Sequence, residues 1–245
     1  MIAGFATPEG SAASRRELRW TWLGRRPYRQ VWAWQKWLAA ELADGRGADR
    51  LLLCEHDPVI TLGRRAGAND ILLDDSELAR RGIDRVAVER GGAATYHGPG
   101  QLVAYPILDL RRHRKDVRWL STNLAATAVD CLAAFGIASE SRDGVATGVW
   151  TDTGKVAALG LRVERWVCYH GLALNVSTDL DAFGAIVPCA MPQATVDSIA
   201  AQLGQVPPMT EVRDIFLQAF AARFDVTLKQ VRRPAFLRTT QEVVP

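Results

Sequence analysis

Lysine and cysteine are both scarce in this chain. Only four of its 30 basic residues are lysine (Lys36, Lys115, Lys155 and Lys229); the rest are arginine. The four cysteines, Cys54, Cys131, Cys168 and Cys189, are widely separated, with no CxxC or Cys/His pair at zinc spacing. Four are also too few to build a disulfide scaffold in 245 residues. Neither a metal site nor a cofactor is therefore indicated. No apolar run approaches the ~20 residues that cross a bilayer, so no membrane association is expected. Net charge is only +3, and no RRM, KH or helix-turn-helix signature accompanies it, which argues against nucleic acid. Internal repeats and low-complexity tracts are absent. Residues 1–14 are small and polar, without the continuous apolar segment of a secretion signal. The expectation is a flexible arm over residues 1–18, a single domain over 19–245, and a reducing, cytoplasmic setting.

What is present is a globular composition, 48% hydrophobic and 23% charged. Val31, Trp34, Leu38 and Leu42 recur at helical spacing and predict a helix over Tyr28–Leu42. Strands are expected at Leu51–Cys54, Val59–Leu62, Val86–Val88 and Leu102–Leu108, with a short helix at Asp74–Arg81 closed by Gly82. A longer helix is expected from Ser121 to Phe135, capped by Ser121, Thr122 or Asn123. The middle reads as antiparallel sheet: Gly148–Trp150, Lys155–Val163 and Trp166–Val176, the last two joined by a Glu164-Arg165 turn. Helices near Thr195–Leu203 and Thr210–Phe224 close the chain. Helices gathered around a hairpin-rich centre predict an α+β fold, with a mixed, largely antiparallel sheet and flanking helices.

Among the cysteines, Cys54, Cys131 and Cys168 fall in strands or a helix and read as buried structural thiols. Cys189 sits between Pro188 and Pro192, on an irregular stretch that follows the sheet, where nucleophiles tend to reside. A thiol has a pKa near ~8.5 and reacts as the thiolate, so it needs an activator. His97, His170 and Lys155 are the candidates. Lys155 follows a hairpin glycine and opens an apolar strand, where this chain would ordinarily carry arginine. Unlike arginine, a lysine can exchange a proton. The glycine-dense run Arg90–Gly100 lacks the Gly-Lys-Ser/Thr ending of a phosphate cradle, but its glycines let a backbone approach a ligand closely. Basic residues cluster at Arg15–Arg16, Arg25–Arg26, Arg64–Arg65, Arg80–Arg81 and Arg111–Lys115, either as a solvated face or as a docking surface for an acidic partner.

The run RGGAATYHGPGQLVAYPILDL at 90–110 resembles the signature of the lipoyl(octanoyl) transferases. Three further segments agree in order: CEHDPVITLGR at 54–64, GKVAALGLRV at 154–163 and YHGLALNV at 169–176. Pro188-Cys189 then stands where that family carries its acyl-accepting cysteine. The resemblance spans roughly Trp20–Phe224. Ala190 replaces a glycine that the family usually carries, and Cys168 a serine or threonine.

The resemblance implies transfer of an octanoyl group from octanoyl-acyl carrier protein to a lysine of a lipoyl domain, the first step of endogenous protein lipoylation. The acceptors it implies are lipoyl domains of 2-oxoacid dehydrogenase E2 subunits and the glycine cleavage H protein. It assigns Cys189 as the nucleophile that holds the octanoyl group and Lys155 as the residue that lowers the thiol pKa and shuttles its proton. The acyl pocket would be lined by Arg90, Gly91, Gly92, Ala93, Ala94, Thr95, Tyr96 and His97, by Ala158, Leu159 and Gly160, and by Gly171, Leu172 and Ala173. The implied fold is that of the biotin and lipoate protein ligase catalytic domains. Two other readings stay open on the residues: an ATP-dependent ligase of the same fold, and a non-catalytic binding module that uses the arginine clusters.

Overall fold

The computed structural model describes residues 15–187, 195–232 and 234. Eleven strands and five helices are defined among them. In chain order they are β1 (Arg16–Arg26), α1 (Tyr28–Ala43), β2 (Arg50–His56), β3 (Val59–Leu62), α2 (Asp75–Arg80), β4 (Asp84–Ala87), β5 (Ala94–His97) and β6 (Gln101–Ile107). Then follow α3 (Val117–Ala134), β7 (Glu140–Arg142), β8 (Gly148–Trp150), β9 (Lys155–Glu164), β10 (Val167–Asn175), α4 (Ile199–Leu203), α5 (Met209–Phe224) and β11 (Val226–Gln230).

Eight strands form one mixed sheet in the order β11-β1-β2-β6-β10-β9-β8-β7. β1 runs parallel to both of its neighbours, and every other pairing in this sheet is antiparallel. A smaller sheet, β4-β3-β5, stands beside it. The central strands are apolar on both faces, because each face is covered. Leu51 and Leu53 of β2, Leu102 and Ala104 of β6, and Leu172 and Leu174 of β10 pack with α3 and α5. The alternate residues, Leu52, Val103, Tyr105 and Ala173, pack with Val31, Trp34 and Leu38 of α1. Strand periodicity of two thus feeds two cores from one sheet.

The predicted α+β class and largely antiparallel sheet match this architecture, with three shifts in detail. β1 begins at Arg16, so Arg16–Leu18 belong to the sheet and not to the expected arm; Arg16 pairs with Val226. α3 starts at Val117, four residues ahead of the expected start, and is capped by Asp116, whose side chain accepts from the Trp119 amide at 3.0 Å, and not by Ser121, Thr122 or Asn123. The β9–β10 turn is Arg165-Trp166, both at positive φ, with Glu164 pairing Val167. That one-residue difference matters, since a slip of one residue would exchange the two faces of β10.

Candidate active site

The candidate site is a cleft of about 500 Å³, including its mouth, on the α1-facing side of the large sheet. Ligand sites are commonly ~300–1,000 Å³. Its floor is the β9–β10 pair, where Ala158 lies opposite Ala173 and Gly160 opposite Gly171. Small residues at these cross-strand positions leave room that larger side chains would fill. At Gly160 a Cβ would stand 2.9 Å from the Gly91 carbonyl oxygen, and at Gly171 it would overlap the Ala104 carbonyl. These glycines let the backbones approach.

The opposite wall is the glycine-dense run. Its opening residues are stitched to neighbours by backbone bonds: the Gly91 amide donates to Leu161 O at 2.9 Å, and the Arg64 and Arg65 amides to Arg90 O and Gly92 O at 3.0 Å. Arg90 is buried and points back into the small sheet, donating to Thr61 O at 2.6 Å and Thr61 Oγ1 at 2.9 Å. It acts here as a brace for the loop. Alternation along β5 sends Thr95 and His97 to the cleft. Tyr96, expected in the pocket, instead packs edge-on against Phe183 on the other side. Gly91 likewise serves as the stitch and is not a lining residue. The other predicted pocket residues, from Arg90 to Ala173, all line the cleft.

Four lining residues escaped the predicted pocket: Tyr28, Val103, Tyr105 and His170. Tyr28 stacks on His97 with ring centroids 5.7 Å apart, and His56 lies edge-on to His97 at 5.8 Å. These rings come from α1, β2 and β5, so no local pattern announces them. His170 had drawn attention only as a thiol activator. Its side chain is 1% exposed and its φ is +58°. Burial lowers its pKa, although Glu89 Oε1 stands 3.5 Å from Nε2.

The hydrogen-bond partners settle the tautomers. Gln101 Nε2 donates to Asn175 Oδ1 at 2.9 Å and to Tyr96 O, so Gln101 Oε1 accepts from His97 Nδ1 at 2.7 Å. Asn175 Nδ2 in turn donates to Asp197 O at 2.9 Å, which extends the chain of bonds toward Lys155. His56 Nδ1 donates to Arg26 O, which leaves Nε2 to accept from the Tyr105 hydroxyl at 2.8 Å. Burial, opposed by the bond to Arg26, lowers the His56 pKa to about 4. Burial and the neighbouring His56 hold His97 well below its ordinary value.

A stability effect follows. An unfolded His56 titrates near 6.5, so as pH falls from 6.5 to 4 the unfolded chain takes up a proton that the folded chain refuses. The contribution of neutral His56 is intact above that interval and gone below it, a difference of about 3 kcal/mol. Denaturation midpoints are expected to drop between pH 7 and pH 4, and less steeply in His56→Gln. A wild-type midpoint flat over this range would overturn the assignment.

Lys155 stands at the other end of the cleft. It is 5% exposed, and Nζ donates to Thr147 O at 2.6 Å. Gly148 makes space for it, since a Cβ there would overlap Lys155 Cε. The Lys155 amide donates to Thr195 O at 2.9 Å, and Lys155 O accepts from the Asp197 amide at 3.0 Å. The Asp197 carboxylate accepts from Thr151 and Thr153 hydroxyls and from Gln202, which ties the β8–β9 turn to the same segment.

Cys189 lies outside the described residues. On its N-terminal side the Val187 amide donates to Asp70 O, and on its C-terminal side Thr195 is held by Lys155. The other three cysteines are free and buried. Burial pushes the Cys54 thiol far up and those of Cys131 and Cys168 to about 12, so none is a ready nucleophile. Cys168 Sγ donates to Pro106 O at 3.3 Å. Among the described residues, no group of three His, Cys, Asp or Glu could hold a metal, and no helix is long and apolar enough to cross a membrane.

Comparison with known proteins extends the picture. Residues 27–221 match the family described as the lipoyl protein ligase A/B catalytic domain. An octanoyltransferase of Chloroflexus aggregans is 44% identical over 207 residues, covering 83% of this chain and 93% of that protein. In fold, the chain is similar to a lipoate-protein ligase A crystallised with ATP (TM-score 0.72, 17% identity, 91% and 92% of the two chains covered). A biotin protein ligase from Aquifex aeolicus, in complex with biotin and ATP, is a more distant likeness (TM-score 0.52, 12% identity, 85% and 70% covered).

Proposed function

The chain belongs to the lipoyl protein ligase A/B catalytic domain family and is an acyltransferase of octanoyl transfer in protein lipoylation; from that premise we propose that it works through a thioester on Cys189. The donor is octanoyl-acyl carrier protein. The Cys189 thiolate attacks the thioester carbonyl, the octanoyl group passes to Sγ, and the carrier thiol leaves with a proton supplied by Lys155. A lysine amine of a lipoyl domain, on a dehydrogenase E2 subunit or the glycine cleavage H protein, then attacks the enzyme thioester. An amide forms as the carbon–sulfur bond breaks, Lys155 accepts the amine proton, and the Cys189 thiolate is restored. The same reading puts the enzyme in the cytoplasm, where free thiols such as Cys54, Cys131 and Cys168 persist.

One observation carries this reading: the buried Lys155 lines the cleft and is bonded through its backbone to Thr195, six residues after Cys189. Elimination of the other three thiols supports it. Exchange of one thioester for another is nearly isoenergetic and the final amide is more stable, so the sequence of steps needs no ATP. The small, apolar floor suits a linear chain, with each buried CH₂ contributing ~0.8 kcal/mol. Covalent catalysis in two steps predicts ping-pong kinetics.

Intact-mass measurement tests the proposal. After incubation with octanoyl-carrier protein, the enzyme is expected to gain about 126 Da, the mass of one octanoyl group replacing hydrogen, and to lose it when a lipoyl domain is added. Octanoylation of the lipoyl domain without any enzyme adduct would refute the thioester. A requirement for ATP would make the protein a ligase.

A further inference from the structure

Five basic clusters are visible in the sequence, and the fold gives the side chains of all but one of them partners of its own. Arg15 pairs with Asp225, Arg25 with Asp57, and Arg80 and Arg81 both with Glu77. Arg111 and Arg112 share Asp109, Arg114 faces Asp116, and Lys115 lies over the Trp166 ring. Arg16 and Arg26 donate to backbone carbonyls. Arg64 and Arg65 stand apart. Both are exposed, and among the described residues neither side chain has a hydrogen bond, an ion pair or a ring partner.

Their backbones are nevertheless held firmly. Gly63, Arg64 and Arg65 donate their amides to Ala93 O, Arg90 O and Gly92 O, the residues that form one wall of the acyl cleft. Gly63 permits this approach, because a Cβ there would overlap Gly92 O and stand 2.8 Å from the Arg90 guanidinium. Two adjacent like charges without a counter-charge gain nothing for the fold. Fixed beside a binding cleft, they are suited to capture an anion.

We propose that Arg64 and Arg65 dock the anionic acyl donor beside the cleft. The inference rests on the octanoyl-transfer reading. The anion is either the acidic surface of the carrier protein or the phosphate of its prosthetic arm, and both are recognised by the same guanidinium chemistry. Steering by exposed charge raises the association rate and makes it salt-dependent.

The test uses the double variant Arg64→Gln/Arg65→Gln with three donors: octanoyl-N-acetylcysteamine, which is neutral, octanoyl-4′-phosphopantetheine, and octanoyl-carrier protein. With the carrier protein, kcat/KM is expected to fall about tenfold, with a flatter dependence on salt. Acylation by the neutral thioester is expected to stay at the wild-type rate. A loss already present with octanoyl-phosphopantetheine identifies the phosphate as the anion, and a loss confined to the intact carrier identifies its acidic surface. An unchanged rate with the carrier, or an equal fall with all three donors, overturns the inference. A wild-type enzyme that forms no octanoyl adduct with any donor would instead refute the thioester reading itself.

Discussion

Cys189→Ser is expected to leave no octanoyl adduct on the enzyme and to lower transfer by about 10³-fold or more, as loss of a covalent nucleophile does. The size of the effect follows from the state of the other thiols. Cys54, Cys131 and Cys168 are fully buried, and each is pushed far above the range in which a thiolate forms near neutral pH. None can stand in. A serine hydroxyl cannot either, because an activator matched to a thiol would face a much weaker acid. The same asymmetry gives a second readout. Under native conditions the wild type is expected to take up one alkyl group with iodoacetamide, at Cys189, and the serine variant none. An octanoyl adduct surviving in Cys189→Ser, mapped by peptide mass to another residue, would sink the assignment.

Lys155→Ala carries the second large effect. Removal of a general acid–base group is expected to cost about 10²–10⁴-fold in kcat. The structural loss is smaller: it includes the hydrogen bond from Nζ to Thr147 O, worth about 1–2 kcal/mol, and the approach of Nζ to the Trp150 ring, 5.7 Å from its centroid. The backbone bonds of Lys155 to Thr195 and Asp197 do not depend on its side chain. Two measurements separate proton transfer from simple damage. The rate of Cys189 alkylation against pH is expected to shift upward in the variant, toward the ~8.5 of a free thiol. Added methylamine is expected to restore part of kcat, by placing an amine in the space that Gly148 leaves open. An alkylation profile identical to wild type, with no amine rescue, would remove Lys155 from the chemistry.

Much of this was legible before any coordinates. Helix α1 was predicted almost to the residue, because Val31, Trp34, Leu38 and Leu42 form one unbroken stripe. β2, β3 and β6 announced themselves as apolar runs between turn residues. β5 was read only as part of the glycine-dense run, and two other strands that escaped prediction have a common property. β7 is Glu140-Ser141-Arg142, fully exposed, and β11 buries little beyond Val226. Edge strands of this kind carry no alternation of their own and exist through pairing with distant partners. β1 was hidden for a related reason: four of its eleven residues are arginine. It is a strand because β2 and β11 flank it.

The candidate site divides the same way. Glycine spacing in Arg90–Gly100 and the scarcity of lysine and cysteine directed attention to the cleft wall, to Lys155 and to Cys189. The Tyr28–His97–His56 stack had no sequence signal, since its members lie on three elements.

The scarcity with which the chain opens therefore means more than composition could say. By itself the sequence determined the periodic elements, the two-faced central strands and the small set of residues able to move a proton or hold an acyl group. These follow from side-chain chemistry and backbone preference, which act over a few residues. Only the tertiary structure decided which of many arginines find a partner within the fold, which aromatic and imidazole rings meet, and that Lys155 clasps the chain beyond Cys189. Those outcomes depend on which distant segments the sheet order brings into contact, and short-range patterns of residues carry no record of it.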